Sequence, residues 1–112
     1  MDEHDAVAAL AALAQPARLR IFRALVGAAP GGLTPGDLSA TLDVPASTLS
    51  FHLKELMHAG LVTQQRDGRH LICRPDIVRM NALLGYLSAH CCHGVDCVAP
   101  SAADESSGCA TC

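Results

Sequence analysis

The chain has 112 residues, half of them hydrophobic and only 3% aromatic; that suffices for one domain with a core of Leu, Val, Ile and Ala, and leaves too few aromatic faces to stack single-stranded bases. Its longest apolar run, Ala6–Ala14, falls short of the roughly 20 residues that span a bilayer, and the acidic start Met1-Asp2-Glu3-His4-Asp5 is unlike a basic secretory leader, so a soluble, cytoplasmic protein without a membrane partner is expected. The net charge of −3 sits at the ends: residues 1–5 and 96–112 each hold three acids and no Lys or Arg, while residues 6–95 hold all eight Lys and Arg against five acids, leaving a body basic enough to meet phosphate.

Ala6–Ala14 reads as a first helix with Val7, Leu10 and Leu13 on one face. Pro16 suits the first turn of a second helix running to about Val26, with Leu19, Phe22 and Val26 inward. The run Gly27-Ala28-Ala29-Pro30-Gly31-Gly32 is a loop by composition. Thr34 then caps a short helix that begins at Pro35 and turns Leu38 and Leu42 inward. After a turn at Asp43-Val44, a helix from Pro45 to Ala59 buries Leu49, Leu53, Leu56 and Met57, and Gly60 ends it. Leu61–Gln65 and His70–Arg74 read as strands around Arg66-Asp67-Gly68-Arg69, where Asp-Gly favours a tight hairpin. A last helix starts at Pro75-Asp76 and carries Ile77, Met80, Leu84 and Leu87 at 3-4-3 spacing, a stripe suited to a partner helix.

This order predicts an α+β, mostly helical domain over residues 1–90: a homodimeric winged helix-turn-helix whose wing is the hairpin. Small hydrogen-bonding side chains, Ser47, Thr48, Ser50 and His52, stand toward the front of the second helix of the helix-turn-helix, where a reader of the major groove needs them. Arg66 and Arg69 at the hairpin tip are placed to reach phosphate or the minor groove. Double-stranded operator DNA with inverted-repeat symmetry is the expected partner. No nucleophile elbow or glycine-rich phosphate loop is present, so no catalysis is expected.

Six cysteines are spread unevenly: Cys73 stands alone, and Cys91, Cys92, Cys97, Cys109 and Cys112 crowd residues 91–112. A buried structural thiol accounts for Cys73. The rest make residues 91–112 a cysteine-rich metal- or metalloid-binding tail.

The stretches LAQPARLRIFRAL (13–25), STLSFHLKELMHAGLV (47–62) and QRDGRHLICRP (65–75) resemble the ArsR/SmtB family of metalloregulatory repressors. The resemblance covers residues 6 to about 90 and implies a homodimer that leaves its operator when a toxic metal ion or metalloid binds. Many relatives carry a cysteine box in the first helix of the helix-turn-helix; here that stretch is Leu33-Thr34-Pro35-Gly36-Asp37-Leu38, without a thiol. Ala46-Ser47 and Phe51 likewise stand where relatives often have a glutamine and a basic residue. The run Cys91-Cys92-His93-Gly94-Val95-Asp96-Cys97 resembles the arsenic-responsive members whose three thiols lie near the C-terminus.

Trivalent arsenic and antimony are soft ions that take three thiolates in a pyramid, and soft ligands select for them. A vicinal pair followed by a glycine-containing loop and a third cysteine suits such an ion, so Cys91, Cys92 and Cys97 are the expected As(III) ligands, with Sb(III) equivalent in chemistry. Protonated His90 and His93 would favour the thiolates electrostatically, though solvent-facing histidines explain them as well. Zn(II) or Cd(II) competes, because Cys92-x4-Cys97 and Cys109-x2-Cys112 have the spacing of four-cysteine sites. Thiol redox sensing and passive metal storage are the remaining alternatives.

Overall fold

The computed structural model describes residues 1–89. Within them the order is α1 (Glu3–Leu13), α2 (Pro16–Ala28), α3 (Pro35–Leu42), α4 (Ala46–His58), β1 (Val62–Asp67), β2 (His70–Pro75) and α5 (Ile77–Ser88). The winged helix-turn-helix expected from the sequence is present, with α3 and α4 as its two helices and an antiparallel β1–β2 hairpin as its wing.

The Asp2 carboxylate accepts from the Asp5 N–H at 2.8 Å and starts α1. Its buried face is Ala6, Ala9 and Ala12 rather than the Val7–Leu10–Leu13 stripe; Leu13 packs at the edge of the core, while Val7 and Leu10 are exposed. Methyl side chains let α1 lie close against α2 and α4, and that close approach turns the larger side chains outward.

In α2 the buried face is Arg18, Ile21, Phe22 and Leu25, and in α4 it is Leu49, His52, Leu53 and Leu56. Both follow the i, i+3, i+4, i+7 rule of a core-facing helix, and each contains one polar residue. Leu19 and Val26, expected inward, each follow a buried position by one residue and so lie about 100° round the helix, exposed; Met57 is exposed for the same reason.

A capping box begins α3: the Thr34 hydroxyl accepts from the Asp37 N–H at 3.0 Å, and the Asp37 carboxylate accepts from the Thr34 N–H at 3.2 Å. Asp43, left-handed at φ 55°, ends α3 and turns the chain into α4. α4 closes in a Schellman motif, with the Gly60 N–H on the Met57 carbonyl and the Leu61 N–H on the Leu56 carbonyl, both at 3.0 Å.

The hairpin pairs Val62 with Pro75 through to Asp67 with His70. Its loop is therefore Gly68-Arg69, one residue later than the Asp67-Gly68 expected, and only Gly68 takes a positive φ, 65°. A positive φ at the first loop position alone is the type II′ pattern, which asks for glycine there. The wing is tied back to the domain at Leu33 and Cys73, which exchange both backbone hydrogen bonds at 2.8 and 3.0 Å. Gly32 precedes this bridge at φ 83°, where an added Cβ would stand 2.6 Å from Ile72 Cγ2 and 2.7 Å from the Cys73 carbonyl oxygen.

Asp76 caps α5 by accepting from the Arg79 N–H at 3.0 Å. Leu83 is buried and Met80 packs against the core, but Ile77, Leu84 and Leu87 of the same stripe are exposed, as is Val78. α5 lies on α1, where Arg79 meets Asp5 at 3.6 Å. The two helices thus keep five large aliphatic side chains of their expected stripes, Val7, Leu10, Ile77, Leu84 and Leu87, in contact with water. Among the described residues, no helix is long and apolar enough to cross a membrane.

Replacing Gly32 by Ala should destabilise the domain by at least about 2 kcal/mol, because strain at positive φ adds to a clash with backbone. Gly27→Ala, inside α2 with open space at its Cβ position, should instead gain up to about 1 kcal/mol. Urea unfolding at one fixed protein concentration measures both.

Candidate nucleic-acid interface

Ser47, Thr48 and Ser50 are exposed on the first half of α4, as expected. The first turn of α4 has no side-chain cap and no acid, so its N–H groups and positive dipole end are open to an anion such as a phosphate. Lys54 lies exposed one turn beyond Ser50.

His52 departs from the expectation. Its side chain is only 8% exposed, and Nδ1 accepts a hydrogen bond at 3.1 Å from Nε of Arg18, itself 8% exposed. His52 is therefore a bridge between α2 and α4, and it does not stand with the exposed serines. Beside it, Phe51 is 55% exposed; the Arg18 guanidinium carbon lies 5.6 Å from its ring centroid, and the His52 ring lies at 5.7 Å with a 58° tilt.

On the wing, Arg66 and Arg69 are exposed, and among the described residues neither has a hydrogen-bond or ion-pair partner, so both guanidinium groups are free to meet an anion. Arg74, also in the wing, is committed to structure: Nε donates to the Pro30 carbonyl at 2.9 Å and Nη1 to Gln65 Oε1 at 2.8 Å. It fixes the base of the hairpin to the loop between α2 and α3.

Cys73 is fully buried, as expected of a structural thiol. Burial pushes its pKa up, and the Gln64 amide, donating to Sγ at 3.4 Å, only partly offsets this. A protonated, enclosed thiol is a poor nucleophile and a poor ligand. Among the described residues, no three His, Cys, Asp or Glu side chains stand together in a way that could hold a metal ion. Cys91, Cys92 and Cys97, with His90 and His93, lie outside the described residues.

Sequence reasoning does not single out Arg18, Lys54 or Arg74, and notes Phe51 only as a departure from relatives. Arg18 had a local signal, since it completes the 18/21/22/25 spacing of the buried α2 face. Its partner His52 lies 34 residues away, and no local pattern joins them. Phe51 could be found only by seeing that the buried stripe of α4 passes on the other side of the helix.

Residues 13–65 match a family model described as a helix-turn-helix domain. The chain is 31% identical over 83 residues to the HTH-type transcriptional regulator YgaV of Escherichia coli (strain K12), covering 74% of this chain and 82% of that one. A solved structure of a possible transcriptional regulator for arsenical resistance is similar at 33% identity and TM-score 0.57, over 70% of this chain and 81% of the other. The homodimeric winged helix-turn-helix DNA-binding domain of Mb0332 from Mycobacterium bovis, a possible ArsR-family regulator, matches at 25% identity and TM-score 0.60, over 80% and 82% of the two chains.

Arg69→Ala should weaken binding to all duplex sequences alike and lower the slope of log affinity against log salt by about one. Ser50→Ala should cost more on a selected binding sequence than on random DNA. Fluorescence-anisotropy titrations over a salt series check both, and equal losses on the two DNAs for Ser50→Ala would remove α4 from the role of base reader.

Proposed function

The chain belongs to the ArsR family of helix-turn-helix transcriptional regulators, and from that membership we propose that it is a homodimeric repressor of a metalloid-resistance operon. It holds an inverted-repeat operator and releases it when trivalent arsenic, as arsenite or methylarsenite, or antimonite binds Cys91, Cys92 and Cys97. The observation that carries this reading is the position of the thiol run. Cys91 stands three residues after Ser88, the last residue of the helix whose exposed stripe is the proposed dimer seam.

Two features support the dimer. Val7, Leu10, Ile77, Leu84 and Leu87 expose more aliphatic surface on two adjacent helices than a small monomer gains from leaving wet. The similar Mycobacterium bovis domain is a homodimer. Two-fold symmetry would set two copies of α4 against successive major grooves, and an operator read this way is an inverted repeat. Sedimentation at micromolar concentration should give a dimer that binds one operator duplex; a monomer bound one-to-one would contradict it.

Arsenic as inducer is supported by donor chemistry and by likeness to a possible regulator for arsenical resistance. Three thiolates match the three-coordinate, soft As(III) ion. Closing a three-thiolate loop just past α5 would strain or shift the seam that spaces the two α4 helices. A coupling of about 1–3 kcal/mol between the sites lowers operator affinity some 5–150-fold.

Release of labelled operator by arsenite tests this. Replacing Cys91, Cys92 or Cys97 by Ser should leave operator binding intact and abolish or strongly blunt release, while Cys109→Ser with Cys112→Ser should cost little. A full response in Cys92→Ser or Cys97→Ser, or its loss in the double variant, would assign induction to other thiols. Release by zinc or cadmium but not by arsenite would replace the metalloid with a borderline metal ion.

A further inference from the structure

Phenylalanine is an unusual side chain to leave in water on a helix that meets DNA. In α4, Phe51 lies on the side opposite the buried Leu49–Leu53–Leu56 stripe, in one exposed row with Ser47, Ser50 and Lys54. These neighbours are hydroxyls and an ammonium, not the aliphatic side chains that α1 and α5 expose. Nor is the ring loosely placed. The guanidinium of Arg18, anchored through Nε to His52, sits 5.6 Å from its centroid, a cation–π distance that favours one ring position over free rotation. An apolar group is thus held outward from the middle of the proposed recognition helix.

Resting on the operator-binding reading, we propose that Phe51 is a specificity-determining residue that reads thymine in the major groove. Its ring has no hydrogen-bond donor or acceptor to offer a base edge. The one apolar feature that distinguishes a base pair in the major groove is the C5-methyl of thymine. Packed against the Phe51 ring, that methyl leaves water on both sides of the contact. Ser47 and Ser50, on the same row, hydrogen-bond neighbouring base edges or phosphates, and Lys54 meets the backbone. Arg18 and His52 act as positioning residues, fixing the ring without touching DNA. Each half-site therefore contains a thymine at the position facing Phe51, and the preference there is for a methyl group rather than for a hydrogen-bonding pattern.

The test uses the whole dimeric chain and synthetic duplexes. Sequences selected from a randomised duplex library by the unaltered protein are resynthesised with uracil replacing thymine one position at a time, which removes only the methyl. At one position in each half-site the unaltered protein should lose about fourfold in affinity, and about fifteenfold when both half-sites carry uracil. Phe51→Ala should bind thymine and uracil duplexes equally at that position while keeping the salt dependence of binding. Phe51→Leu should retain a preference for the methyl. No uracil penalty with the unaltered protein, or the same penalty in Phe51→Ala, would overturn the assignment of Phe51 while leaving operator binding in place. Failure of the unaltered protein to select any sequence would overturn the operator reading together with it.

Discussion

The hydrogen bond from Arg18 Nε to His52 Nδ1 fixes how the two central helices face each other. Both residues lie within otherwise apolar stripes, Arg18 with Ile21, Phe22 and Leu25, and His52 with Leu49, Leu53 and Leu56. A guanidinium enclosed this far is costly unless its donors find acceptors, so the register in which the apolar stripes of α2 and α4 pack is also the one that joins these two groups. That register decides which side of α4 faces the core and which faces outward. Ser47, Ser50, Phe51 and Lys54 are presented to solvent because Leu49, Leu53 and Leu56, together with His52, are turned the other way.

The order of elements was legible in the sequence because local chemistry marks it. Thr34 caps α3, Gly60 closes α4, Asp76 stands ahead of α5, and Gly68 turns the hairpin. The orientation of helices about their axes was less legible. Hydropathy places arginine and histidine outside, so it fills the α2 stripe with Leu19 and Val26, and the α4 stripe with Met57, in place of the polar residues that pair across the core. α1 misleads in the opposite way, since its buried face is alanine and its larger side chains point outward. The Leu33–Cys73 bridge and the Arg74–Pro30 contact join segments distant in the chain, and no local periodicity encodes them. In the candidate interface Ser47, Thr48, Ser50, Arg66 and Arg69 are exposed, whereas His52 is buried against Arg18. The proposed thiol site, Cys91, Cys92 and Cys97, is read from its residue types and spacing and lies outside the described residues.

The domain separates two kinds of surface. α4 and the wing tip carry hydroxyls, Lys54, Arg66, Arg69 and one ring, groups suited to phosphates and base edges. α1 and α5 carry aliphatic side chains suited to a second protein surface. The base of the wing is braced against the core by the Leu33–Cys73 bridge and by Arg74. In the proposed dimer, such a body would turn a change at the α1/α5 face into a change in the spacing of whole domains. In the proposed regulator, this is how a ligand bound beyond α5 would act on DNA without touching the residues that read it.

The most direct measurement of the central claim, that the Arg18–His52 bond turns one chosen face of α4 toward DNA, is a titration of the isotopically labelled protein with duplex DNA, followed by amide and imidazole NMR signals. The account predicts shifts centred on residues 46–54 and on the wing tip around Arg69, with the His52 ring signals nearly unmoved. Shifts centred on the exposed face of α1 and α5, or His52 ring signals that move as the first DNA binds, would contradict it.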